Sequence, residues 1–230
     1  MIVRRARGLT LRVGFVLMAS ALIIAGVVGL YQAQPVFATR PNTRQIEHGR
    51  QLVTIGGCND CHTPVKLDPK LGLPVPQVER ALSGHPQGAP GPSSPLVASD
   101  LAVFGPTATS FRIPFGTAYA ANLTPDRETG LGAWNETMFI QTMRNGRHLG
   151  AGRPILPPMP WPGVRQQSDA DLRAMFAYLQ SLPPIHNSVP APQVSTESLD
   201  RLGRSYDALL PTLPKGSGDE ASPHRIWDAR

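Results

Sequence analysis

The sequence predicts an all-α domain: three main helices, a long loop insertion, an apolar N-terminal helix and an extended C-terminal tail. Three observations carry that expectation. Apolar residues recur at helical spacing behind N-cap signals in three places. Pro (25) and Gly (22) make up about a fifth of the 230 residues, against a usual share of roughly 12%. The run at 13–30 holds 18 residues without a charge and follows Arg4, Arg5, Arg7 and Arg12.

Positive charge followed by an apolar run is an export signal with its N-terminus in the cytoplasm. Eighteen residues exceed the roughly 7–15 of a signal-peptide core and reach the length that spans a bilayer. Val36-Phe37-Ala38 places small residues where a signal peptidase cuts. Residues 1–38 are therefore expected to be an export signal or a membrane anchor, putting residues 39–230 outside the cytoplasm. The net charge of +6 is concentrated in this leader. Of 22 basic side chains, the four leading arginines leave 18 against 16 acids. A near-neutral body without a basic, aromatic-studded stripe excludes a nucleic-acid partner.

The domain is expected over 39–185. Its first helix starts at Asn42, with Gln45 in capping-box spacing. Ile46, Gly49, Val53 and Gly56 fall on one face, and Gly56-Gly57 ends the helix. The stretch 64–115 has no sustained period and reads as a loop-rich insertion, with Leu82, Phe104 and Phe111 as apolar pins. A second helix begins at Asn135, where Trp134 and Phe139 form a hydrophobic staple, and closes at Gly146. A third is capped by Ser168 with Asp171. It carries Leu172, Met175, Phe176 and Leu179 on one stripe and stops at Pro183-Pro184. Residues 186–230 read as a tail, partly ordered or disordered, with at most a short helix around 199–210.

Both cysteines of the chain sit in one motif, Cys58-Asn-Asp-Cys61-His62. Two cysteines three apart also suit a small disulfide or a redox-active pair. The next residue separates these readings: in Cys-x-x-Cys-His both thiols add to the haem vinyl groups and the histidine is aimed at the iron. A thioredoxin-like site needs no histidine there, and a zinc site would need a second pair. The motif thus predicts one covalently bound haem c with His62 on its iron. A buried porphyrin would also supply core to a chain so poor in regular structure.

The sixth iron position determines the chemistry. A thioether closes it and raises the potential, whereas an open position binds small molecules. Met1 and Met18 lie in the leader, and Met138, Met143 and Met175 occupy helical positions, where methionine fills core. Met159 stands apart in Ile-Leu-Pro-Pro-Met-Pro-Trp-Pro, a stiff run that joins neither helix nor sheet. It is the expected distal ligand, and Trp161 beside it is expected to pack on the macrocycle or reach a propionate through its N–H. His148 is the weaker distal candidate, and His85 reads as a loop residue. Arg112, Arg147 and Arg153 are candidates to pair with propionates. No Gly-x-Ser-x-Gly, His-Glu-x-x-His or phosphate-binding loop accompanies these residues, so no catalytic residue and no small-molecule substrate are expected.

A helix, Cys-x-x-Cys-His, a long loop and Pro-Pro-Met-Pro before a closing helix resemble class I cytochromes c in order. The stretches GGCNDCHTP, NLTPDRETGLGAW and ILPPMPW look like those of bacterial periplasmic cytochromes. The resemblance covers roughly residues 45–184. It implies three helices around one haem, covalent attachment at Cys58 and Cys61, His62 as proximal ligand and Met159 as distal ligand. It further implies a single-electron carrier, not itself an enzyme, whose partner is a dehydrogenase, an oxidase or a respiratory complex. One alternative is a cytochrome subunit held permanently in a membrane oxidoreductase complex. Another is a haem enzyme or sensor with a labile distal ligand. Relatives often carry two or three such units; this sequence has one Cys-x-x-Cys-His.

Overall fold

The structure, a computed structural model, describes residues 41–95, 97 and 101–216. The apolar run at 13–30 and the cleavage point at Ala38 lie outside the described residues, as does 217–230. Among the described residues no helix is long and apolar enough to cross a membrane.

Two helices form the base of the domain. Helix α1 (Thr43–Ile55) starts where Asn42 accepts the Gln45 N–H at 2.7 Å. A later helix (Asp169–Ser181) starts where Ser168 Oγ accepts the Asp171 N–H at 3.0 Å. They cross with backbones in contact: a Cβ on Gly49 would overlap the Ala174 carbonyl group. Glycine is thus what lets the helices approach, and Val53, Leu172, Met175 and Leu179 bury their side chains around the crossing. Each such burial contributes roughly 1.5–3 kcal/mol. A polar tie crosses the same contact, because Asp171 accepts from His48 Nε2 and from Ser168 Oγ, both at 2.7 Å. Burial alone would raise the Asp171 pKa; the bonds from His48 and Ser168 outweigh it and lower it.

Between these helices the chain makes the short α2 (Cys58–His62) and a hairpin of β1 (Val65–Asp68) and β2 (Leu73–Pro76). Then come β3 (Val103–Phe104), β4 (Ser110–Ile113) and β5 (Gly116–Tyr119), followed by helix α3 (Glu136–Asn145) and the single turn α4 (Trp161–Val164). The Asp169–Ser181 helix is α5. After it come β6 (Gln193–Val194) and helix α6 (Thr196–Leu209). Strands β3-β4-β5-β6 form one antiparallel sheet in that order. At Gly116, with φ +145°, the β6 backbone comes so close that a Cβ would overlap the Gln193 carbonyl oxygen.

The expectation of an all-α domain is therefore corrected. The region 64–115, read as an aperiodic loop insertion, folds into a hairpin and two strands of the larger sheet. The strands are two to four residues long, too short to show a period. In β4, Ser110, Phe111 and Ile113 are all buried, so the alternation of a one-sided strand is absent. Leu82 and Phe111 are buried as expected. Phe104 is 59% exposed, with its ring edge on Phe111 at a centroid distance of 5.1 Å. In the tail region, β6 pairs with β5, and α6 begins at Ser195, whose Oγ accepts the Ser198 N–H.

The apolar core is divided. One cluster joins α1, α3 and α5 through Val53, Phe139, Leu172 and Phe176, with Cys58 packed against it. The other joins the larger sheet to Leu156 through Phe111, Ile113, Ala118 and Ala120, with Cys61 packed against it.

Candidate functional site

The short helix α2 places Cys58, Cys61 and His62 within five residues, entered through Gly57 in a left-handed conformation (φ +68°). Its two thiols are free and each belongs to a different apolar cluster. Burial pushes the Cys58 thiol up to about 11, and burial followed by the Asp60 charge raises Cys61 as well. A redox-active pair needs a thiol lowered toward neutrality. These thiols are shifted the other way, which argues against disulfide exchange.

His62 is buried, and its Nδ1–H donates to the Ala121 carbonyl at 2.7 Å. Burial lowers its pKa, partly offset by that bond, so the ring is neutral. With Nδ1 committed as donor, the lone pair is left on Nε2. A metal-ligating histidine is commonly oriented in this way.

The acceptor is fixed from two directions. The Gly84 N–H donates to the His62 carbonyl at 2.8 Å, and the Leu82 N–H to Thr63 Oγ1 at 2.9 Å. Gly84 has φ +76°, and a Cβ there would lie 2.5–2.6 Å from Ala120 O and the Ala121 carbonyl group. Only glycine lets segment 82–85 lie against the carbonyl that holds the imidazole. Behind it stands Asn187, with every polar position used. Its Nδ2 donates to Ser83 O (2.7 Å) and His85 O (2.9 Å). Its Oδ1 accepts from the Gln87 N–H (2.9 Å) and Arg80 Nη2 (3.1 Å). Sequence reasoning missed Ala121, Gly84 and Asn187. The first two act through backbone, and the third from about a hundred residues away, so none carries a local signal.

The donor set fits a haem c. Two thiols flank one helical turn, an imidazole Nε2 is available next to them, and the apolar core divides at the motif with one thiol on each part. Cys58, Cys61 and His62 would hold the group.

Met159 lies in a run of little regular structure, its N–H turned onto the Leu156 carbonyl at 3.3 Å. Leu156 packs in the cluster that also receives Cys61. Met159 itself is half-buried. Met143 and Met175 pack in the helical cluster, and Met138 stands 37% exposed on α3. Trp161 is buried against Gly146 and the Tyr206 ring, at a centroid distance of 4.9 Å.

His85 is fully buried with both ring nitrogens engaged. Its Nε2–H donates to Ala89 O at 3.2 Å, and Nδ1 accepts from Thr109 Oγ1 at 3.0 Å. His148 stacks edge-on with Trp134. The three arginines have protein partners: Arg112 donates to Pro92 O, Arg147 to Asp207, and Arg153 to Pro154 O. The NLTPDRETG stretch is a structural knot. Asn122 donates to Ile185 O and accepts from Thr124, while Asp126 accepts from the N–H and hydroxyl of Thr129.

No family model matches the chain. It is 34% identical over 149 residues to a subunit of the nicotinate dehydrogenase of Pseudomonas putida, covering 65% of this chain and 10% of that protein. It is also 34% identical over 176 residues to the gluconate 2-dehydrogenase cytochrome c subunit of Pantoea cypripedii, covering 76% of this chain and 31% of that one. A third relative is the cytochrome c subunit of the quinone alcohol dehydrogenase of Gluconobacter oxydans, at 35% over 106 residues, 45% of this chain and 22% of that one. The chain spans at most about a third of the length of these relatives. Its homologues thus include cytochrome c subunits of dehydrogenases, which together with the Cys58–His62 geometry support a c-type cytochrome.

Proposed function

We propose that this chain is an electron-transfer subunit of a dehydrogenase complex, carrying one haem c on the periplasmic side of the membrane. His62 is the proximal ligand and Met159 the distal one. The haem, when bound, accepts and releases single electrons; the protein supplies ligands, an apolar setting and a docking surface. The observation that carries the reading is the His62 Nδ1–H bond to Ala121, on the turn that holds Cys58 and Cys61. It commits the imidazole to the tautomer that offers Nε2 to iron. The single Cys-x-x-Cys-His of the sequence supports one haem. Met159, between Pro158 and Pro160, supports a closed sixth position and hence transfer rather than catalysis.

Residence in a complex is supported over free diffusion by the relatives, which are named as subunits. The test is isolation of the protein from its native cells in mild detergent. A dehydrogenase catalytic subunit should co-purify, and its substrate should reduce the haem without an added mediator. A cytochrome that migrates alone and is reduced by no dehydrogenase would contradict the proposal. For location, an alkaline phosphatase fusion after Gln45 should be active; an inactive fusion beside a working cytoplasmic reporter would reverse the topology.

A further inference from the structure

The methionine segment has few means of holding itself. Pro157, Pro158 and Pro160 have no N–H to donate. Among the described residues, the backbone bonds of 155–159 reduce to Ile155 N–H on Gly146 O at 2.8 Å and the Met159 turn at 3.3 Å. Its two ends, however, are both fastened to one helix. Before the methionine, the Tyr206 hydroxyl donates to Ile155 O at 2.7 Å. Arg147, bridged to Pro154, donates from Nη2 to Gly203 O (3.1 Å) and Asp207 (2.7 Å). After the methionine, Trp161 packs on the Tyr206 ring, and Arg165 donates to the carbonyl of Leu210, the residue that caps the helix, at 3.3 Å. Leu199 and Leu202 of the same helix pack on the cluster that contains Leu156. Gly203 is buried where a larger side chain would crowd Arg147 and Pro154.

We propose that α6 is a clamp on the methionine segment, and that Tyr206 is the positioning residue through which it keeps Met159 on the iron. The proposal rests on His62/Met159 ligation. A stiff proline run moves as a unit, so fixing Ile155 and Trp161 fixes the backbone from which the Met159 side chain extends. Releasing one end increases the fraction of molecules with the sulfur away from iron. An added ligand that competes with the sulfur then binds more tightly in proportion to that fraction.

Imidazole titration of the ferric holoprotein, followed by its visible spectrum, reads this directly. Tyr206→Phe keeps the ring on Trp161 and deletes only the hydroxyl. Loss of one such bond should tighten apparent imidazole affinity roughly threefold to tenfold. Met159→Ala should tighten it further, and Ser205→Ala on the same helix should leave it unchanged. Should Tyr206→Phe yield no holoprotein, Asp207→Ala, which removes the exposed partner of Arg147, should give a smaller tightening. A lowered melting temperature with unchanged imidazole affinity, in whichever of these two variants is obtained, would overturn the clamp while leaving the ligation intact. If Met159→Ala itself leaves the affinity unchanged, the distal ligand is not Met159 and the underlying reading fails.

Discussion

The two sides of the candidate haem site are built by different means. On the His62 side, position is set by backbone: a carbonyl at Ala121, a glycine at 84 that can lie against it, and a fully satisfied Asn187 behind. On the Met159 side, position is set by side chains reaching across from α6 to a proline run that has few hydrogen bonds of its own. A buried backbone cradle has no alternative partners, so disturbing it costs folding free energy. A side-chain clamp can open and let solvent take its place. On the ligation proposed above, His62 would be a stability feature of the fold and Met159 the adjustable side.

The largest loss is expected at the attachment points. Cys58→Ser or Cys61→Ser should abolish normal haem attachment and leave the chain largely unfolded, because the two apolar clusters meet at the motif. Circular dichroism of the purified variant checks this, and a native-like spectrum without haem would refute it. Gly84→Ala should come next, destabilising by more than about 2 kcal/mol, since it combines a strained φ with a backbone clash. Denaturant titration measures that loss.

Asn187→Ala should cost about 2 kcal/mol or more, because it strands the Ser83 and His85 carbonyls in a buried setting. Met159→Ala sharpens the contrast: stability should fall less than in Gly84→Ala, while the ferrous protein gains carbon monoxide binding and the potential drops. Equal destabilisation by these two variants would erase the distinction between the sides. The smallest effect is one of pH. The Asp171 carboxylate is buried, but its bonds from His48 and Ser168 hold its pKa below the ordinary aspartate value. Its contribution is present above that unfolded value and is lost as pH falls through the lower folded one. Asp171→Asn should therefore flatten the acid limb of the stability curve below about pH 4.

Legibility in the sequence follows the same division. The helices were legible because Asn42, Asn135 and Ser168 announce their starts and the stretches behind them repeat their buried face. Strands β3 to β5 were not, since Ser110–Ile113 is buried on both faces and offers no alternation. The motif was legible because its thiols and imidazole are adjacent. The orientation of the imidazole was hidden, because Ala121 acts through a carbonyl and Gly84 through the absence of a side chain. Helix α6 was underestimated: proline and polar residues surround it, and its apolar positions meet partners some fifty residues away.

The proposed electron transfer depends on one haem held covalently by Cys58 and Cys61. Intact mass spectrometry under denaturing conditions tests it on wild-type protein from a host that matures c-type cytochromes. The expected mass is that of the mature chain plus one haem, with the adduct mapping to the peptide that carries Cys58 and Cys61. The chain mass alone, or that mass less two hydrogens for a Cys58–Cys61 disulfide, would contradict it.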